Sequence, residues 1–139
     1  MSVRLSILAA LVLAGAVARA DAPAPDVIAT RLYPPELIMG HQQELGIDEK
    51  QRDAIVKEVQ ALQNRVVEIQ WQMQAAVEEL GKLLDAARVD EVKTLAQADR
   101  VMGFEREVKR AHLTALIRIR NVLSDAQRAK LAALRAKLP

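Results

Sequence analysis

The chain has 139 residues, 51% of them hydrophobic and only 2% aromatic (Tyr33, Trp71 and Phe104), with no cysteine and a formal charge of +2. The absence of cysteine excludes a disulfide framework, a thiolate metal finger, a cysteine nucleophile and a lipoprotein anchor. The length favours one domain, and the prevalence of Ala, Leu, Val, Glu, Gln, Arg and Lys over strand formers points to an all-helical fold.

Residues 1–20 read as a secretory signal peptide. Arg4 gives a basic start, Leu5 to Ala18 is apolar and small, and Ala18-Arg19-Ala20 fits a small-x-small cleavage site. That apolar run is shorter than the roughly 20 residues a membrane-spanning helix needs. Cleavage removes Arg4 and Arg19 and no acid, so the remaining chain is neutral, which argues against nucleic acid as a partner. The expected destination is the periplasm of a two-membrane bacterium.

Residues 21–35 hold Pro23, Pro25, Pro34 and Pro35 and are expected to form a flexible, extended leader. From Glu36 to Leu138 proline is absent, as long helices require, since an interior proline costs about 3 kcal/mol. Glu36 to Glu44 suits a short helix, weakened at Gly40 and stopped near Gly46. Ile55, Val59, Leu62, Val66, Ile69, Met73, Ala76, Leu80, Leu83 and Ala87 then alternate spacings of four and three. Such a seam predicts a long helix, from about Asp48 to Ala86, lying along a partner helix.

A turn is expected over Ala87 to Asp90, with Asp90 capping a second long helix that runs to about Asn121. Its looser stripe comprises Val101, Phe104, Val108, His112, Ala115, Ile119 and Val122. A last helix starts at Ser124 and carries Leu131, Leu134 and Leu138 on one side. The expected architecture is thus all-α, a long antiparallel helical hairpin with a short helix at each end over residues 36–139. Residues 21–99 carry an excess of seven acids and residues 100–139 an excess of seven bases, which favours the antiparallel arrangement. Two helices in one layer leave Val67, Val77, Leu84 and Leu116 without a partner, and a homodimer is the expected remedy.

Two segments share one pattern: Ile47-Asp48-Glu49-Lys50-Gln51 and Leu123-Ser124-Asp125-Ala126-Gln127. Each forms a capping box, in which Asp48 or Ser124 accepts from the N–H three residues on and Gln51 or Gln127 reaches back to the N–H of the cap. With these copies the chain resembles the Spy/CpxP superfamily of periplasmic proteins, named for a repeated Leu-Thr-x-x-Gln motif and including the ZraP proteins and CnrX-like heavy-metal sensors. Asp48 and Ser124 stand where that motif has Thr, and both retain a capping oxygen. The resemblance spans roughly Leu45 to Leu134 and implies a cradle-like antiparallel dimer of helical hairpins.

It also implies two functions. One is ATP-independent chaperoning of unfolded envelope proteins, for which Arg100, Met102, Phe104, Arg106, Lys109, Arg110, Arg118 and Arg120 supply mixed basic and apolar contacts. The other is binding of a divalent transition metal, for which the available donors are Met39, His41, Glu44 and His112. The superfamily's better-known ligand patterns are missing here, so His112 is expected on the seam with one nitrogen bonded, and no cofactor is expected. A third reading is a coiled-coil adaptor of a membrane sensor. Gly-rich phosphate loops, His-Glu-x-x-His and nucleophile-histidine pairs are absent from the sequence, so an enzyme is not expected.

Overall fold

A computed structural model describes residues 26–138. The expected signal peptide, residues 1–20, and residues 21–25 of the expected leader lie outside the described residues. Six helices follow one another: α1 (Val27–Arg31), α2 (Pro35–Gly40), α3 (Gln42–Leu45), α4 (Glu49–Leu84), α5 (Glu91–Val122) and α6 (Asp125–Arg135). Among the described residues there is no strand, and no helix is long and apolar enough to cross a membrane. The hairpin is α4 and α5 packed against each other, with the short helices gathered at its base.

The long helices follow from local chemistry. The Asp48 carboxylate accepts from the Gln51 N–H at 2.7 Å and the Asp48 N–H donates to Gln51 Oε1 at 3.2 Å, which completes the first capping box. Asp90 caps α5 by accepting from the Lys93 N–H at 3.1 Å. Glu49 and Glu91 lie in the first turns and Lys82 and Arg120 in the last, so each end opposes the helix dipole. Along α4 the seam is buried at Ile55, Ile69 and Ala76 and half-buried at Val59, Leu62, Val66, Met73, Leu80 and Leu83, whereas Ala87 lies beyond the helix and is exposed.

The α5 side of the seam runs through Thr94, Gln97, Val101, Phe104, Val108, Ala111 and Ala115, all at least half-buried, and Gln97 Nε2 donates to the Ala76 carbonyl at 2.8 Å. His112 is exposed, contrary to its expected seam position. The alternating three-and-four spacing passes through Ala111 instead, where a small side chain lets the helices approach.

The core sits at the base. Tyr33, Ile38, Leu45, Ile55, Ile119, Leu123 and Leu131 form one buried cluster, flanked by Leu37, Met39, Ile47, Val59, Val122 and Leu134. Full burial of each large aliphatic side chain contributes about 1.5–3 kcal/mol. The expected single helix over Glu36 to Glu44 is broken into α2 and α3 at His41, just past Gly40. Gly46 ends α3 at φ +66°, with the Ile47 N–H on the Gln42 carbonyl and the Gly46 N–H on that of Gln43, a left-handed cap that glycine adopts without steric cost.

From Asp26 the leader differs from an extended segment. Asp26 caps α1, Tyr33 is buried in the core, and Arg135 of α6 lies 4.4 Å from the Tyr33 ring centroid while donating to the carbonyls of Ala29 and Leu32. Prolines restrict the local backbone, but the clamp comes from a residue about a hundred positions later. Leu138 of the expected last-helix stripe lies past α6 and is exposed, while Leu131 is fully buried. Leu116 is half-buried, beside a hollow it lines with Ile28, Leu32 and Leu37.

The two motif copies meet. Ser124 completes the second box, accepting from the Gln127 N–H at 3.2 Å and donating its own N–H to Gln127 Oε1 at 2.8 Å. Gln51 Nε2 then donates to Gln127 Oε1 at 2.8 Å, and Gln127 Nε2 to Gln51 Oε1 at 3.0 Å. The remaining amide hydrogens go to backbone carbonyls, Gln51 to Val122 at 2.9 Å and Gln127 to Gly46 at 3.3 Å. Both amides are saturated, and the starts of α4 and α6 are locked together at the edge of the core.

Removing either glutamine orphans a cap N–H, a backbone carbonyl and the partner amide. Gln127→Ala is expected to cost about 2–4 kcal/mol, and Gln51→Ala a similar amount. In chemical denaturation the double variant should lose at least about 1 kcal/mol less than the sum of the singles. Strict additivity would mean that the two boxes act independently.

Candidate functional site: a trough between the long helices

On one side of the seam the flanks of α4 and α5 bear charge. Glu58, Ala61 and Arg65 on α4 face Glu107, Arg110, Thr114 and Arg118 on α5, and Leu62, Ala111 and Ala115 form the floor of a trough of about 340 Å³. Three of the floor and wall residues are alanines, which leave open the volume that larger side chains would fill. The helical spacing of 107, 110, 114 and 118 places all four on this side.

Charge along the trough is partly neutralised within it. Arg65 donates to Glu68 at 2.8 Å and across the helices to Glu107 at 2.9 Å, and Arg118 lies 3.5 Å from the half-buried Glu58. Glu68 first, and Glu107 to a lesser extent, raise the Arg65 pKa above its ordinary value, so this guanidinium stays charged at any physiological pH. Arg110 stands between the two cross-helix pairs and makes no ion pair among the described residues. The trough therefore offers one uncommitted guanidinium, two that can exchange partners, a hydroxyl at Thr114 and an apolar floor. The chemistry of such a surface suits acidic and apolar groups.

The basic residues expected to hold partners are not brought onto one surface. Arg110 and Arg118 line the trough, and Arg100 continues its α5 wall, stacked 6.0 Å from the Phe104 centroid. Phe104 itself is half-buried on the seam. Met102 and Lys109, seven residues apart, lie on the other flank of α5, while Arg106 is exposed on its outer side and Arg120 is half-buried near its end. Helical spacing alone separates these groups, because residues at 100, 106 and 109 cannot share one face. The sequence reading missed Arg65, Glu58 and Glu107, whose signal was available: opposite charges on the flanks of two antiparallel seams.

The metal donors are likewise divided. Met39, His41 and Glu44 line a shallow hollow where α2 meets α3, and His112 lies on α5 outside that hollow. Each histidine engages a backbone carbonyl four residues earlier through Nδ1, His41 with Leu37 at 2.9 Å and His112 with Val108 at 3.0 Å. An Nδ1–H donor of this kind leaves Nε2 as the free lone pair. Among the described residues no three His, Cys, Asp or Glu side chains are grouped to hold an ion.

No curated protein and no solved structure matches the chain. Residues 1–130 match the model of a family described as heavy-metal resistance, which covers nearly the whole chain and both motif copies. The chain therefore belongs to the heavy-metal resistance family, one of the Spy/CpxP-like families of periplasmic proteins.

Proposed function

We propose that the protein is a periplasmic envelope-stress factor that holds unfolded proteins without ATP, using the trough between α4 and α5. The observation that carries this reading is the uncommitted Arg110 over an alanine floor, flanked by two arginine–glutamate pairs. A client carboxylate can engage Arg110 directly or displace Glu58 from Arg118, and exposed pairs of this kind exchange at little energetic cost. The floor accepts small apolar side chains at the same time. Weak, replaceable contacts suit a holdase, which must release what it binds. The same trough suits a segment of a membrane sensor, so holding and signalling can share one surface. Neither role requires a cofactor or a catalytic group.

Aggregation of a reduced, unfolding model protein, followed by light scattering in chelator, tests this reading. The purified protein should suppress aggregation, and Arg110→Glu should raise the concentration needed by about fivefold, a loss of about 1 kcal/mol per contact. Lys109→Glu, on the other flank, should change little. Absence of suppression at a large molar excess would defeat the proposal.

The second reading, a metal-responsive protein, is favoured by the family match and by the free Nε2 atoms of His41 and His112. An ion present at a hundred times its dissociation constant stabilises the protein that binds it by about 2.7 kcal/mol. Nickel, zinc and copper titrations followed by thermal unfolding should therefore give a clear rise if such a site exists. If His41→Ala or His112→Ala removed that rise, metal binding would become the primary reading.

A further inference from the structure

At the base, α1 is fastened by polar contacts more than by packing. None of its side chains is buried, and Val27 and Ile28 are exposed by 60% and 46%. A helix of five residues does not recover its nucleation cost in its own hydrogen bonds. What fastens it is Arg135 of α6, whose two terminal nitrogens donate to the carbonyls of Ala29 and Leu32 while the guanidinium lies over the Tyr33 ring.

Around this fastening the apolar surfaces do not close on one another. Ile28 of α1, Leu32, Leu37 of α2, Leu116 of α5 and Leu138 past α6 line a hollow of about 490 Å³. Small-molecule sites span roughly 300–1,000 Å³, with mostly apolar walls and a few polar groups that fix orientation. Asp26 and Arg135 are the only charged residues here, and every other lining residue is Ala, Pro, Leu or Ile. The lining has no aromatic ring and no hydroxyl or amide side chain, which favours a flexible alkyl chain over a planar ligand or a sugar. Water in such a space finds few partners, so an alkyl chain that displaces it is stabilised by burial.

The two charges are not equivalent toward a ligand. Asp26 Oδ1 accepts from the N–H groups of Ile28 and Ala29 at 2.9 and 3.2 Å, so this carboxylate is engaged in the α1 cap. Arg135 makes no ion pair among the described residues. A guanidinium has five N–H donors, and the carbonyls of Ala29 and Leu32 engage two of them. The others, with an uncompensated positive charge, suit a carboxylate, which a guanidinium takes in paired hydrogen bonds.

We propose that this hollow binds a long-chain carboxylate, its alkyl chain against Leu37 and Leu116 and its head group on Arg135. The hollow shares no lining residue with the trough, so the inference does not rest on the holding activity.

Calorimetric titration of the purified protein with sodium laurate, kept below its micellar concentration, tests the assignment. Binding should saturate at one laurate per chain with a dissociation constant of about 100 µM or lower, and dodecyltrimethylammonium, the same chain under a cationic head, should bind at least about tenfold more weakly. Arg135→Gln should weaken laurate about tenfold and bring the two amphiphiles to similar affinity. Ile28→Glu places an acid in the hollow at an exposed position in the first turn of α1, where a carboxylate does not disturb the helix. It should weaken laurate at least about tenfold with unchanged helical circular dichroism, whereas Lys109→Glu, which lowers the net charge equally, should change nothing. Absence of saturable laurate binding up to millimolar concentration overturns the proposal, and so do equal affinities for the two head groups. Laurate binding that survives Ile28→Glu but falls with Arg110→Glu would overturn it as well, by placing the amphiphile in the trough.

Discussion

The reciprocal amide pair between Gln51 and Gln127 is the constraint on which the rest of the structure depends. The base of the hairpin must hold together the start of α4, the end of α5 and the whole of α6, and the apolar cluster there is small. Dispersion and burial give this cluster its strength but little direction. Direction comes from two capping boxes whose glutamines each finish a cap, bond the other glutamine and take a carbonyl at a chain reversal. Glutamine is the residue type this arrangement demands. Glutamate would bring two acceptors face to face and supply no donors, and a shorter asparagine would not span from its own cap to the other box.

Away from the base, the hairpin is stabilised differently. The arm is a two-helix seam with only a few buried side chains, among them Ile69, Ala76, Thr94 and Ala115. Stability falls off along it, since contacts there are made by one helix pair alone. The Thr94 hydroxyl, buried without a hydrogen-bond partner near the tip, adds to this gradient. A molecule built this way has a firm base and a compliant arm.

Much of this fold was legible in the sequence because its signals are periodic or local. The seam of α4, the cap at Asp90 and the two boxes follow from spacing and side-chain type, and the proline-free length permits both long helices. What was not legible depends on long-range partners. Nothing local to Tyr33 announces that Arg135 stacks on it, so residues 26–35 read as an extended leader. On α5 the choice between Ala111 and His112 for the seam is a rotation of one residue, and hydrophobic pattern decides it poorly when both neighbours are half polar. The basic residues read as one surface because composition counts charges without assigning them to flanks. Across the helices, Glu58 and Glu107 claim two of the arginines, and only Arg110 is left uncommitted in the trough.

Once the seam is fixed, the two remaining flanks of α4 carry opposite instructions. One alternates charge with alanine and meets the basic flank of α5, so its groups are satisfied within the chain yet open to exchange. The other excludes charge and carries exposed valine and glutamine from Val56 to Val77. A surface for varied partners benefits from charge, which steers encounter and tolerates imperfect fit. The same heptad spacing writes both instructions on one helix, a third of a turn to either side of the buried stripe. A substitution on the charged flank of α4 should therefore disturb the cross-helix ion pairs alone, so long as the paired glutamines at the base keep the hairpin closed.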